Sequence, residues 1–376
     1  MNNCSNRTKL YNARYKTKEL RPIGKGRQGV VFVVSEHANG SNPFAMKVVP
    51  FDLSAQNRKE VQPSIVEFRN QKAAAAVAPG GVVKVMKLRR CDNFVNSSLI
   101  NMPNVQNHHN RAKQAIMYME YCSGGDLLNW LKKQRTLNDA TMQRIISSVL
   151  RTLYKIQKVY PYFRHNDLHL ANVFVAKRGF LIGDFGWSRI KRNGTNPAVN
   201  TANGTRTASY WGVGPSTDAR YDSHLFLNSM LTWIKEHGQK RFPKTVAFLN
   251  SVVPVGYRGD RGTYVNESRL IYGKQYPGLP TLATILRNKY VSSANRNVSL
   301  RVSSVRTSVR RSVRRSIRRR RLPVRRPKIR GPSGRMVYAD GSAITLTYLR
   351  NLARRRRINV SGLRSKKAIV AKIFRV

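Results

Sequence analysis

The chain has 376 residues and carries 70 Lys and Arg against 17 Asp and Glu, a net charge of +53. An apolar fraction of 41% with 9% aromatic residues is that of a chain that buries a core, which excludes disorder throughout, and no apolar run reaches the length of a membrane span. The charge is uneven: residues 1–290 hold 44 basic and 16 acidic residues and residues 291–376 hold 26 and one, so the last quarter suits polyanionic partners.

In chain order, Leu20 to Val34 reads as apolar run, glycine-rich turn, apolar run, the pattern of two strands joined by a tight loop. PFAMKVV, 43–49, predicts a third strand, and the Ala-rich VEFRNQKAAAAVA, 66–78, a helix. Strands are expected at 82–88 and 115–120, with a long polar insertion between them that belongs at the surface. Helical spacing dominates 126–160, a Gly-, Asn-, Thr- and Ser-rich loop fills 190–220, and helices are expected at 222–237, 244–252 and 281–288. The three cysteines, Cys4, Cys91 and Cys122, show no close pairing and no Cys/His cluster at metal-ligand spacing. With no signal-peptide core at the N-terminus, this reads as a soluble intracellular protein in a reducing compartment without structural zinc.

Three stretches carry chemistry. GKGRQGVV, 24–31, places Gly24, Gly26 and Gly29 at G-x-G-x-x-G spacing with Lys25 and Val31 between and after them. A strand follows, which favours a hairpin lid over nucleotide phosphates rather than a dinucleotide turn, with a plain glycine-rich hairpin as the alternative. Lys47 is a cation within an apolar strand and needs a carboxylate if buried; Glu67 on the next helix is the natural partner and Glu60 the rival, and a lysine that snorkels to the surface needs neither. HNDLHLANVFV, 165–175, followed by IGDFGWS, 182–188, gives the strongest signal. Asp167 suits the proton of an attacking hydroxyl, and Asn172 and Asp184 offer the hard oxygen ligands that Mg²⁺ requires. Loop capping by Asp and Asn is the structural alternative.

From about residue 20 to 290 these motifs, with MEYCSGGDL at 119–127, stand in the order found in eukaryotic-type protein kinases, and the chain resembles that superfamily. The resemblance implies an α+β, two-lobed fold with a small β-rich lobe, a helical lobe and ATP with Mg²⁺ in the cleft. It further implies catalytic roles for Lys47, Glu67, Asp167, Asn172 and Asp184. The adenine is expected between Ala45 and Phe174 and against the Glu120 to Cys122 hinge, with Met119 as gatekeeper, Asp126 near the ribose and Asp222 bracing the catalytic loop. Two departures matter. Asn166 stands where the usual His-Arg-Asp has Arg, which implies activity without activation-loop phosphorylation. His169 replaces the Lys that contacts the γ-phosphate, and no Ala-Pro-Glu follows DFG. His at that position is shared with haspin-like kinases and with aminoglycoside and choline phosphotransferases, so small-molecule phosphotransfer is the rival activity, and an inactive scaffold is another. The departures, with the polar insertion, resemble kinases of large nucleocytoplasmic DNA viruses.

The C-terminal quarter differs in kind. SSVRTSVRRSVRRSIRRRR repeats Ser, Val or Ile, Arg, Arg, and the linker 291–336 is expected to be a disordered basic arm. Its Ser304, Ser308, Ser312 and Ser316 lie beside arginines and are candidate substrates of the chain's own kinase domain. Residues 344–374 predict two short amphipathic helices and resemble a SAP-type pair, which implies contacts to nucleic-acid phosphates from Arg354, Arg355, Arg356, Arg357, Arg364, Lys366 and Lys367. A helical hairpin with a solvated basic face is the alternative.

Overall fold

The computed structural model describes residues 9–25, 29–53, 55, 61–96, 109–193, 196, 199, 211–214, 216–294, 328–330, 335–337 and 353. The chain divides into two compact units, residues 1–303 and 304–376.

The first unit opens with strands β1 (Tyr11–Asn12), β2 (Pro22–Lys25), β3 (Val30–Ser35) and β4 (Phe44–Asp52), then helix α1 (Pro63–Val77), β5 (Val85–Asp92) and β6 (His109–Glu120). These six strands form one antiparallel sheet in the order β1-β3-β4-β6-β5, with β2 also paired to β3. Alternation along β3 and β4 sends Val30, Phe32, Val34, Met46 and Val48 into a core shared with Leu10 and Ile116. β1 lies in the stretch 1–19 expected outside the domain, yet Tyr11 and Asn12 pair with Ser35 and Val34 and cover one edge of the sheet. Gly29 is required where β3 begins: a Cβ there would stand 2.4 Å from the Val48 carbonyl oxygen.

The polar insertion is partly strand. β6 starts at His109 rather than at 115, and Asp92 and Cys91 face Lys113 and Gln114 across the ladder. Composition misled here because the buried Gln114 amide bonds both the N–H (3.0 Å) and the C=O (2.9 Å) of Val95, so a polar residue satisfies backbone within the core. Cys122 is a buried free thiol.

The helical lobe follows. The expected helical stretch 126–160 is two helices, α2 (Leu127–Lys133) and α3 (Asp139–Val159). Asn138 separates them by capping α3, its side chain accepting from the Thr141 N–H, a cap of about 1 kcal/mol. Next come a hairpin absent from the sequence expectation, β7 (Val173–Ala176) and β8 (Gly179–Ile182), then α4 (Tyr221–His237), α5 (Pro243–Val252), the two-residue strands β9 (Val265–Asn266) and β10 (Arg269–Leu270), α6 (Leu282–Arg287) and α7 (Lys289–Ser292). One apolar core, with Ile145, Val149 and Leu153 of α3 against Phe226, Met230 and Ile234 of α4, holds this lobe together. The architecture is α+β with a β-sheet lobe followed by a helical lobe, as the motifs implied.

In the second unit, β11 (Lys328–Arg330) and β12 (Arg335–Val337) pair as an antiparallel hairpin at the end of the stretch 291–336 expected to be a disordered arm. Beyond residue 337 the SAP-like pair, including Arg354, Arg355, Arg356, Arg357, Arg364, Lys366 and Lys367, lies outside the described residues, apart from Ala353.

Candidate active site

A cleft of about 650 Å³ opens between the sheet and the helical lobe, lined among others by Val31, Ala45, Lys47, Glu67, Met119, Glu120, Cys122, Phe174 and Asp184. Its apolar walls come from both sides: Ala45 is paired in register with Met119, and Phe174 and Met119 pack on Val83, Cys122 and Leu181. Gly183 keeps the floor open, since a Cβ there would stand 2.7 Å from the Phe174 ring. Gly24 and Lys25 pair with Val31 and Val30 in the glycine hairpin. Gly24, Lys25 and Gly29 are not among the lining residues, and Gly26, at the tip, lies outside the described residues. Asp126 is likewise not a lining residue. Its carboxylate caps α2, accepting from the Asn129 N–H and Nδ2 at 2.8 Å each.

Lys47 is buried and pairs with Glu67 at 2.7 Å and Asp184 at 3.0 Å. Burial disfavours its charge, but the two carboxylates outweigh that and raise its pKa above the usual lysine range. The choice between Glu67 and Glu60 thus falls to Glu67; Glu60 lies outside the described residues. The pair fixes α1 against the sheet, because a buried ion pair broken on one side costs several kcal/mol.

The loop that begins at His165 is held by α4. Asp222, fully buried, accepts from the backbone N–H groups of His165 (2.7 Å) and Asn166 (2.8 Å). Asn166 adopts φ 64° and Asp184 φ 55°, left-handed conformations that persist only when surrounding bonds over-determine them. At Asn166 that bond is Nδ2 to the Trp187 carbonyl, 2.8 Å. Asn172 donates through Nδ2 to the Asp167 carbonyl (2.7 Å) and to Asp167 Oδ2 (3.0 Å), which leaves its side-chain carbonyl oxygen as an acceptor that could hold a metal ion. That oxygen and the Asp184 carboxylate, 43% exposed in its side chain, are a donor set suited to Mg²⁺ completed by phosphate oxygens and water. Among the described residues no cluster of three or more His, Cys, Asp or Glu competes for a metal ion.

One neighbour was missed by sequence reasoning. Arg269, on β10, donates to Asp167 Oδ1. Burial works against the Asp167 carboxylate, but His169, whose Nε2 is 3.6 Å away, and Arg269 hold its pKa below the ordinary range. No motif or periodicity marks Arg269, since 102 residues separate it from Asp167.

The family described as "protein kinase domain" matches residues 17–211. The chain belongs to the protein kinase family. Among the relatives of this protein kinase chain, a protein named as a serine/threonine-protein kinase in Acanthamoeba polyphaga mimivirus is 23% identical over 193 residues, 43% of this chain and 40% of its own length. Mitogen-activated protein kinase kinase 2 of Arabidopsis thaliana is 27% identical over 187 residues, 50% of this chain and 44% of its own. Serine/threonine-protein kinase 1 of Heliothis zea nuclear polyhedrosis virus is 32% identical over 79 residues, 21% and 29%. The matched part of the kinase chain thus spans less than half the length of each of these relatives.

Proposed function

We propose that the chain is an active ATP-dependent protein kinase that transfers the γ-phosphate to serine or threonine hydroxyls. The observation that carries this reading is the pairing of Lys47 with both Glu67 and Asp184 beside the Asp167–Asn172 pair. In this reading Lys47 binds the α- and β-phosphates, Asp167 orients the substrate hydroxyl and receives its proton, and Asn172 and Asp184 hold Mg²⁺. Mg²⁺ held there would supply positive charge against the phosphate oxygens. Retention of Lys47, Asp167, Asn172 and Asp184 supports catalysis over an inactive scaffold, which has no use for them. Small-molecule transfer remains the activity to test against, because His169 is shared with that class.

The test is phosphotransfer from ATP to a generic protein acceptor, to the chain's own arm and to kanamycin, with wild type beside Asp167→Ala and Asp184→Ala. Protein phosphate that disappears in both variants is the expected result; transfer confined to kanamycin overturns it. Ser304, Ser308, Ser312 and Ser316 are the proposed self-acceptors, and phosphosite mapping of the same reaction decides them.

We further propose that the basic end grips nucleic-acid phosphates through Arg354, Arg355, Arg356, Arg357, Arg364, Lys366 and Lys367. Support comes from charge: the last 86 residues hold 26 basic residues and one acidic residue, and each neutralised phosphate releases counterions whatever the base sequence. That two relatives are viral fits the reading of a viral kinase.

A further inference from the structure

Beside His169 of its own loop, Asp167 meets a permanent cation from outside it. Residue 166 is Asn and residue 169 is His, and His169 Nδ1 is occupied as an acceptor of the Ala171 N–H at 3.2 Å. Arg269 fills the role from a distant element. It is 8% exposed, and one guanidinium nitrogen bonds Asp167 Oδ1. The other donates to the Asn166 carbonyl and to the Tyr221 hydroxyl, both at 3.2 Å. The guanidinium carbon stands 5.7 Å from the centre of the Trp187 ring and 5.2 Å from that of Trp211, near enough for cation–π attraction to both. The two indoles pack edge to face.

The backbone that presents Arg269 is strained, and the strain is secured. Glu267 (φ 45°) and Ser268 (φ 66°) form the two-residue turn between β9 and β10, a geometry that ordinarily takes Asn and Gly. Asp260 accepts from Ser268 Oγ (2.6 Å) and, through its carbonyl, from the Glu267 N–H (3.0 Å). Asn228 donates to the Ser268 carbonyl (3.2 Å). Gly212 packs so closely beneath β10 that a Cβ there would overlap the Leu270 carbonyl. Asn228, Tyr221 and Asp222 all belong to α4, so one helix sets the Asn166 backbone, the Arg269 hairpin and the guanidinium itself.

We propose that Arg269 is a positioning residue for phosphoryl transfer: it fixes one oxygen of Asp167, leaves the rest of the carboxylate to the substrate hydroxyl, and offsets repulsion between that carboxylate and the incoming phosphates. A carboxylate has about four acceptor sites. Arg269 and Asn172 take two of them, so room for the hydroxyl remains. The compensation is local and permanent, unlike a charge supplied by phosphorylation. This inference rests on the kinase activity proposed above.

The test compares full-length wild type with Arg269→Met and Arg269→Lys, measuring kcat, KM for ATP, nucleotide binding and melting temperature, with and without added guanidinium ion. Arg269→Met is expected to lower kcat about 100-fold, the scale of a misplaced catalytic group, while KM for ATP and nucleotide binding stay near wild type. Arg269→Lys is expected to fall between, and free guanidinium to restore part of the Met variant's rate. Unchanged or increased kcat in Arg269→Met overturns the proposal. So does a parallel loss of melting temperature and nucleotide binding that neither Lys nor guanidinium repairs, because that is the signature of a purely structural residue. A wild-type chain with no phosphotransfer overturns the activity itself and this role with it, whereas an active wild type with an indifferent Arg269 overturns the role alone.

Discussion

Asn70 of α1 donates through one amide nitrogen to both the carbonyl (3.0 Å) and the Oγ (3.1 Å) of Ser188, four residues beyond Asp184. Its own carbonyl oxygen accepts from Asn193 Nδ2 at 2.9 Å, and Asn196 Nδ2 adds a bond to the same Ser188 carbonyl at 2.8 Å. The helix that carries Glu67 is therefore tied to the segment after Asp184 by neutral, buried hydrogen bonds. Replacing Asn70 with Ala removes this tie and leaves polar atoms unsatisfied, so stability should fall by about 2–3 kcal/mol at roughly 1 kcal/mol per bond. Thermal denaturation measures the loss, and kcat should fall with it because Glu67 loses its anchor to the segment.

A second neutral bond bears on regulation. Asn166 bonds the Trp187 carbonyl, where a cationic residue would wait for a phosphate. Phosphatase-treated enzyme should therefore keep at least roughly half its activity, as should a variant with Thr195, Thr201, Thr205, Thr207, Ser209 and Ser216 all changed to Ala, since no phosphate-dependent ion pair is lost. Thr217 is left intact because its hydroxyl bonds the Gly214 backbone. Loss of activity in either preparation contradicts the reading of Asn166.

Lys47 and Glu67 are 7% and 2% exposed. Lys47→Met strands the Glu67 carboxylate in the core and should cost about 3–5 kcal/mol, whereas Lys47→Met with Glu67→Met should recover much of that stability. Both should lack phosphotransfer. Urea unfolding of the two single variants and the double variant closes the cycle; strict additivity would show that the pair is not coupled.

Burial pulls the pKa of His224 down to about 4 from 6.5, although its ring bonds the Tyr257 carbonyl. The unfolded chain then binds the extra proton between those values, so stability rises with pH across that window and is lost as pH falls from 6.5 toward 4. A shift of that size corresponds to about 3 kcal/mol for this group. His165, buried and also lowered by desolvation, acts in the same sense. His224→Gln should flatten the dependence between pH 7 and pH 4.5, as followed by melting temperature.

Truncation after Ser303, the boundary between the compact units, should leave phosphotransfer intact and abolish tight binding to duplex DNA. For the full chain the logarithm of the binding constant should fall linearly with the logarithm of salt, with a slope near −0.9 for each phosphate contacted. A fluorescence titration on nuclease-treated, salt-washed protein measures it. Equal binding by the truncated chain would move the interface onto residues 1–303.

Local spacing carried most of what could be read beforehand. Asp167 and Asn172 are five residues apart, and the loop that joins them brings their side chains together, so a short motif predicts a contact. The strands at 30–35 and 44–52 follow from apolar runs bounded by turn residues. Composition failed at 109–114, where polar residues lie in a ladder, and at 11–12, where a two-residue strand is too short to leave a periodic signal. The Glu267–Ser268 turn was also hidden, because neither residue type advertises a positive φ.

By itself the sequence determined the protein kinase family, the pairing of Asp167 with Asn172 within one loop and the concentration of positive charge after residue 290. Tertiary structure decided which carboxylate pairs with Lys47, that Asp126 caps a helix, that Asn70 grips Ser188 and that Arg269 reaches Asp167. The physical reason is the range of the forces involved. Turn geometry and strand alternation act over a few residues and are written in spacing, while partners 102 or 118 residues apart are chosen by the packing of helices and hairpins that buries them together.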